Sequence, residues 1–249
     1  MANHVGIEET TQIPGYPLYE AMGLEKEFRL RAMTTLEEKI RLSAPGFSTM
    51  ARVIQNCLVN NKEFDVRDLK IFDFEYLMYK LRIVTYGAGY PVTITCPYCK
   101  RQFDHKVKLS ELEVNEVPSD FKEPFKIGPL PVSKDVLECR ILTAKDYIEL
   151  PDECAEFLKH YPAYEGDPEF ILDLCRRVVS VNGKELPNLR TYIETLHARD
   201  YQYFSNEYLD KTNSYGINTV IEVECPHCKK KHYSKLPFTS EFFRPSYCD

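Results

Sequence analysis

The sequence lacks the short motifs that mark the common catalytic sites. It has no glycine-rich phosphate loop, no His-Glu-x-x-His helix and no Gly-x-Ser-x-Gly elbow. Glycine itself is sparse, at 10 of 249 residues, and the close pair Gly87 and Gly89 fits a turn before a strand better than a phosphate cradle. We therefore expect a protein that is not an enzyme and has no small-molecule substrate. An enzyme with a cysteine nucleophile is the weakest alternative.

Long apolar runs and an excess of positive charge are also missing. No segment approaches the roughly 18 consecutive apolar residues that a membrane helix needs, and the first residues, which include Glu8 and Glu9, do not resemble a signal peptide. We expect no membrane insertion and a cytoplasmic location. The formal charge of -6 and the pI of about 5.6 disfavour a general nucleic-acid binder, because such a protein must neutralise phosphates.

Cysteine is plentiful, and four of the nine cysteines form two matched motifs. Cys96-Pro97-Tyr98-Cys99 and Cys225-Pro226-His227-Cys228 are Cys-Pro-x-Cys knuckles that lie 129 positions apart. At the same offset, Tyr86-Gly87 precedes the first knuckle as Tyr215-Gly216 precedes the second, and Lys100 corresponds to Lys229. Six identities at one offset indicate an internal duplication. The other five cysteines are expected to be reduced, as in a cytosolic protein, and they are Cys57, Cys139, Cys154, Cys175 and Cys248.

The knuckles predict one structural metal site with Cys96, Cys99, Cys225 and Cys228 as its ligands. A short turn points two sulfurs at one centre, and two such turns complete the tetrahedron that Zn²⁺ prefers. Four thiolates leave no open position for catalysis. The prediction is therefore one structural zinc per chain, with iron in a rubredoxin-like site as a minor alternative. Four reduced cysteines buried in turns are the other alternative, and three nearby histidines are possible substitute ligands: His105, His227 and His232.

The duplication extends upstream of the knuckles at a different offset. Arg31 and Thr34 with Glu37 resemble Arg140 and Thr143 with Asp146. In each copy a threonine stands three residues before an acid, which is the pattern of a helix N-terminus. Apolar residues then recur at helical spacing; they are Met50, Val53, Ile54, Cys57 and Leu58, then Phe74, Leu77, Met78 and Leu81, and in the second copy Phe170, Ile171, Leu174, Cys175 and Val178.

These patterns predict an α+β fold in which duplicated strand-helix-helix-hairpin units are joined by a zinc-ribbon-like pair of Cys-Pro-x-Cys knuckles. The predicted segments are an N-terminal arm (1–26), a first repeat with the first knuckle (27–113), a linker (114–136), a second repeat with the second knuckle (137–236) and an aromatic C-terminal tail (237–249). The length suits one pseudo-symmetric unit clamped by the metal.

Both termini carry aromatic residues that are candidate partner-binding residues. They are Tyr16 and Tyr19 in the arm, and Phe238, Phe242, Phe243 and Tyr247 in the tail. Such segments either fold back onto the domain or dock on a partner through their aromatic anchors. Each knuckle is also followed by basic residues, which are Lys100-Arg101 and Lys229-Lys230-Lys231. These would carry phosphate contacts if the chain were a nucleic-acid-binding zinc-ribbon factor, a role that the overall negative charge disfavours.

Several short phrases give the sequence a family resemblance. They are Arg31 to Thr34, Leu81 to Gly87, Gly89-Tyr90-Pro91 running into the first knuckle, Leu109 to Leu112, and Asp210 to Asn213. With these phrases the chain resembles the baseplate proteins of T-even-type contractile-tailed bacteriophages, and its length is most similar to the baseplate hub assembly proteins among them. The resemblance spans about residues 28 to 235.

The resemblance implies a viral late protein that acts in the host cytoplasm during tail assembly. Its partners would be phage baseplate hub proteins. Its function would be that of a chaperone-like factor that promotes assembly of the central hub and is not a stoichiometric part of the virion. A structural hub subunit retained in the virion tail baseplate is the alternative within the same biology.

Overall fold

A computed structural model describes residues 7–44, 46–236 and 240–243 of the chain. These residues form seven α-helices and eleven short strands, which are arranged as four two-stranded pairs and one three-stranded sheet. The mixture of helices with small antiparallel sheets confirms the predicted α+β class.

The first part of the chain builds a strand pair, three helices and a hairpin. Strand β1 (Glu8–Gln12) pairs antiparallel with β2 (Glu27–Arg31), so that Thr10 lies opposite Arg29. Three helices follow, and the third leads through Gly87 into an antiparallel hairpin. The helices are α1 (Thr35–Ser43), α2 (Phe47–Cys57) and α3 (Ile71–Tyr86), and the hairpin strands are β3 (Gly89–Thr95) and β4 (Gln102–Lys108).

The second part of the chain contains the three-stranded sheet, four helices and a further hairpin. Its strands are β5 (Val114–Asn115), β6 (Phe125–Ile127), β7 (Leu137–Cys139), β8 (Val178–Val181), β9 (Gly216–Ile217), β10 (Val220–Glu224) and β11 (Lys231–Lys235). Its helices are α4 (Ala144–His160), α5 (Pro168–Arg177), α6 (Leu189–Glu194) and α7 (Ala198–Thr212). Strands β6, β7 and β8 form the sheet in that order, β5 pairs with β9, and β10 pairs with β11.

Both predicted helix starts are confirmed as capping boxes. The Thr34 side chain caps α1 together with Glu37, and Thr143 caps α4 together with Asp146. An arginine at the end of the preceding strand completes each unit, since Arg31 pairs with Glu37 at 2.8 Å and Arg140 pairs with Asp146 at 2.6 Å. The capping acids are thereby satisfied although both are buried.

The pKa values of the two capping acids reflect these partners. Hydrogen bonds from Arg31 and Thr34 lower the pKa of Glu37 to about 2. Burial raises the pKa of Asp146, but the hydrogen bonds from Arg140 and Thr143 outweigh this effect and lower the pKa to about 2. Both side chains are therefore carboxylates at neutral pH.

Two main hydrophobic cores hold the elements together. One surrounds β2, α2 and α3 and includes the inner faces of both hairpins; the other lies between the β6-β7-β8 sheet and α7. The predicted stripes on α2 and α3 are buried. The stripe on α5 is correct only in part, because Phe170 is 44% exposed and Val178 begins strand β8, where it pairs with Cys139.

Two predicted segment boundaries fall between strands that pair with each other. Strands β1 and β2 lie on either side of the boundary after residue 26, and β6 and β7 lie on either side of the boundary after residue 136. The N-terminal segment thus contributes a strand to the fold, and the linker contributes a strand to the three-stranded sheet. The division into domains stays a prediction.

A buried aspartate fixes a proline-containing loop in each part of the chain. Asp73 in α3 accepts hydrogen bonds from the Gly15 amide at 2.7 Å and the Tyr19 hydroxyl at 2.8 Å. Asp200, at the corresponding third position of α7, accepts from the amides of Val132 at 2.6 Å and Ser133 at 2.9 Å. Both aspartates are fully buried, so these contacts replace their hydration.

Candidate metal centre

The two knuckles are turns at the tips of the β3-β4 and β10-β11 hairpins, as predicted. In the first, the Cys96 amide donates to the Arg101 carbonyl at 2.9 Å and the Lys100 amide donates to the Cys96 carbonyl at 2.9 Å. In the second, the Cys225 amide donates to Lys230 at 3.1 Å and the Lys229 amide donates to Cys225 at 2.9 Å. The two turns therefore share one backbone hydrogen-bond pattern.

Each knuckle is followed by a lysine in the left-handed backbone region. Lys100 has a φ of 61° and Lys229 a φ of 60°. Glycine adopts this conformation most readily. Both turns nevertheless close with lysine at this position, with the same backbone hydrogen bonds.

The four cysteine sulfurs lie together between the hairpins. Cys96 Sγ is 3.7 Å from Cys228 Sγ, and Cys99 Sγ is 3.7 Å from Cys225 Sγ. All four sulfurs lie within 4.8 Å of one another. Cys96 and Cys225 are fully buried, whereas Cys99 and Cys228 are partly exposed. Each close contact joins one knuckle to the other, so the cluster connects residues more than 120 positions apart.

This geometry is compatible with a bound metal ion. A tetrahedral zinc with bonds of about 2.3 Å to sulfur requires sulfur-to-sulfur distances of about 3.8 Å, close to the two cross-hairpin contacts. Within residues 7–44, 46–236 and 240–243, the four cysteines are the one group of three or more potential ligands with this proximity. His232 is buried, and the centre of its ring lies 6.3 Å from the ring centres of Tyr98 and Phe103. The group of four potential metal ligands includes no histidine.

The thiols of the cluster differ in acidity. Burial raises the pKa of Cys96, but hydrogen bonds from the Cys99 and Tyr98 amides outweigh burial and lower it to about 6. For Cys228 the Lys230 amide lowers the pKa, but burial and the neighbouring thiols raise it to about 11. One thiolate therefore forms readily, while complete ionisation requires a compensating cation.

The cysteines outside the cluster have the character of core residues. Burial raises the pKa of Cys57 and of Cys139 to about 12, and that of Cys175 to about 11. All cysteines of the described ranges are free thiols; Cys248 lies outside those ranges, and the reduced state stays a prediction. High pKa values disfavour thiolate nucleophiles.

The aromatic residues predicted to bind partners contact the chain's own core wherever they are described. Tyr19 is 1% exposed and donates to Asp73, and Tyr16 is half-buried. Phe242 is fully buried against Tyr79 and Tyr90. Phe243 is also buried, whereas Phe238 and Tyr247 lie outside the described residues. For the four described residues the segments fold back onto the domain, and a role in partner binding stays a prediction.

Two features near the hairpins were not predicted from the sequence. Arg82 in α3 is fully buried, and its guanidinium donates to the carbonyls of Phe242, Gly87 and Gly89 at 2.8, 2.6 and 3.0 Å.

The second feature is a cleft of about 1010 Å³ that runs along α3. Glu75 and Lys235 both line this cleft. The surrounding protein raises the pKa of Glu75 by desolvation, and Lys235 partly offsets this effect. Neither feature has a local sequence pattern.

Fold and site together define an α+β protein whose two hairpins share a four-thiol cluster that is compatible with a bound metal ion. None of the helices within the described residues is both long and apolar enough to cross a membrane.

The model of the family described as T4 bacteriophage base plate protein matches residues 14–244. The chain therefore belongs to this family, and the resemblance inferred from its short phrases is confirmed at that level. No curated protein and no solved structure gave a match.

Proposed function

We propose that this baseplate protein is an assembly factor for the central hub of the phage tail, which acts without catalysis and leaves before the virion is complete. The family match over residues 14–244 carries the baseplate role. The similarity in length to hub assembly proteins favours the assembly role, and its partners would be hub proteins in the host cytoplasm. The absence of recognisable catalytic motifs from the sequence agrees with a non-enzymatic function.

The proposed mechanism depends on a rigid platform. In this mechanism the four-thiol cluster, with its metal, would hold together the β3-β4 and β10-β11 hairpins, which belong to the two parts of the chain. Surfaces on the two parts would then keep a fixed separation, and two weak contacts to hub subunits would reinforce each other through a raised effective concentration. Partner subunits would be held in register without any chemical step.

We infer further that the cluster binds one structural zinc ion through Cys96, Cys99, Cys225 and Cys228. The 3.7 Å contacts between sulfurs and the shared turn geometry support this inference. Zinc would supply the positive charge that allows all four thiols to ionise. Iron has similar ligand preferences in this kind of site, and elemental analysis distinguishes the two metals.

We also propose that the two parts of the chain are copies of one strand-helix-helix-hairpin unit. Beyond the knuckles, the support comes from two repeated side-chain arrangements: an arginine, threonine and acid at the start of α1 and of α4, and a buried aspartate at the third position of α3 and of α7. The metal would then join two repeats into a zinc-ribbon-like pair.

The abundance of the protein in virions tests the assembly role against the structural alternative. Purified particles would be analysed by quantitative mass spectrometry, and a phage lacking the gene would be examined for baseplates by electron microscopy. We expect loss of baseplates in the mutant and far fewer copies of the protein than of tail subunits in wild-type particles. A fixed ratio to tail subunits would instead identify a retained structural subunit.

A further inference from the structure

The four-thiol cluster brings two exposed loops side by side. Residues 97–101 follow Cys96, residues 226–230 follow Cys225, and the proximity of the sulfurs fixes the two loops as neighbours. His227 Nε2 lies 3.3 Å from the Gln102 carbonyl, and Lys230 Nζ lies 4.8 Å from the centre of the Tyr98 ring. Both contacts cross from one hairpin to the other, so the loops form one continuous surface.

This surface is basic in an otherwise acidic chain. The side chains of Lys100, Arg101, Lys229 and Lys230 are exposed, and none of them has a carboxylate within 4.0 Å among the residues that the structure describes. Neither loop contains an acid, whereas the whole chain carries a formal charge of -6. Lys231 differs from these four because it pairs with Glu222 at 3.2 Å.

The backbone conformation of two of these lysines is costly. Lys100 and Lys229 have φ values of 61° and 60°, where a side chain with a β-carbon meets steric strain that glycine avoids. The same charged residue occupies this position in both loops. A glycine would close either turn with less strain, yet both loops retain a charged side chain.

We propose that Tyr98, Lys100, Arg101, Lys229 and Lys230, the knuckle surface, dock onto an acidic surface of another baseplate protein. The proposal rests on the proposed function, which supplies the class of partner. Four cations without a carboxylate partner would be complementary to clustered carboxylates. Tyr98 is 56% exposed and offers a rigid aromatic anchor of the kind enriched at protein interfaces. The negative charge of the rest of the chain favours a compact protein surface over an extended nucleic acid.

The strained lysines permit a test in which stability and binding change in opposite directions. In Lys100→Gly/Lys229→Gly the strain and two charges are removed together, so the variant should unfold at the same temperature as the wild type or at a higher one. A second variant, Lys100→Asn/Lys229→Asn, removes the charges with a residue that also tolerates this conformation. Lys134→Gly is the matched control, because Lys134 has a φ of 66° outside the knuckles.

Binding would be measured between these proteins and each purified baseplate protein of the same phage, with a short DNA duplex as the alternative ligand. We expect one acidic baseplate protein to bind, to bind less well as salt rises, and to lose about tenfold or more in affinity with both double variants but not with Lys134→Gly. Metal content, measured in parallel, should be unchanged.

Three results would overturn the inference. Equal binding of a baseplate protein by the wild type and both double variants would leave the proposed function intact and exclude the knuckle surface. Binding of the DNA duplex alone, lost in the double variants, would assign the surface to nucleic acid. Failure to bind any baseplate protein would contradict the proposed function itself.

Discussion

At the scale of single residues, several ionisable side chains are buried in the fold. Asp73 is fully buried and accepts from Gly15 and Tyr19, yet burial raises its pKa from 3.8 to about 7. The Gly15 position tolerates no side chain, because a β-carbon there would lie 2.1 Å from an Asp73 oxygen. The backbone at Gly15 therefore packs directly against the Asp73 carboxylate.

The pKa of Asp73 predicts a pH dependence of stability. Because the folded state retains this proton up to about pH 7 and the unfolded state releases it near pH 4, the contribution of Asp73 to the free energy of unfolding should fall as pH rises between these values. The decrease would be about 1.4 kcal/mol per pH unit, or about 4 kcal/mol in all. Chemical unfolding of the wild type and Asp73→Asn across this range measures it, since the difference between the two proteins cancels effects common to both. A difference independent of pH would contradict the prediction.

Arg82 presents the opposite charge in an equally buried position. Arg82→Met would remove the buried guanidinium and the hydrogen bonds that it donates to the carbonyls of Gly87, Gly89 and Phe242. We expect the free energy of unfolding to fall by about 3 kcal/mol, and urea unfolding would measure the change. The exposed Arg52 provides the control, because Arg52→Met should have little effect. Similar unfolding midpoints for both variants would show that the buried hydrogen bonds contribute little.

At the scale of elements, α1 and α4 begin with the same arrangement of capping side chains. Thr34 caps α1 and Thr143 caps α4, and in each case the acid of the capping box also forms an ion pair with an arginine. Thr34→Ala and Thr143→Ala should each reduce the free energy of unfolding by about 1 kcal/mol. The double variant should show the sum, because the two caps share no partner. Thermal unfolding of the two single variants and the double variant tests both statements, and a strongly non-additive result would indicate that the caps are coupled.

Elements with a local pattern were predictable from the sequence, and those formed by distant contacts were not. The spacing of Met50, Val53 and Ile54 predicted α2, and the threonine-acid pairs predicted the helix starts. Strand β1 was missed because its partner lies about twenty residues away and its residues Glu8–Gln12 are mostly polar. Val178 was assigned to a helix because its apolar character satisfies helical periodicity, whereas its pairing with Cys139 places it in the sheet.

At the scale of the whole molecule, the thiol cluster connects the hairpins from the two parts of the chain. The ligand candidates were predictable because each knuckle is local and the two share one offset, and the structure brings their sulfurs together. Asp200 and Arg82 were not predictable, since nothing in the neighbouring sequence distinguishes a buried charge from a solvated one. Their partners, at Val132 and at Phe242, lie far along the chain.

Removal of the proposed metal should loosen both hairpins together while leaving the three-stranded sheet protected. The reason is that the four thiols, which lie within 4.8 Å of one another, would lose the cation proposed to bind them. Hydrogen exchange before and after chelation would measure protection of β3-β4 and β10-β11, with the β6-β7-β8 sheet as the internal control. Unchanged exchange in the hairpins would mean that packing alone holds the hairpins together.

The most direct test of the account is the metal content of the purified protein, measured by elemental mass spectrometry together with the folding of Cys96→Ser/Cys225→Ser. The account predicts one zinc per wild-type chain and loss of both the metal and the stable association of the two hairpins in the variant. A wild-type protein that folds without metal would contradict the proposal that a shared metal unites the two parts of this baseplate protein.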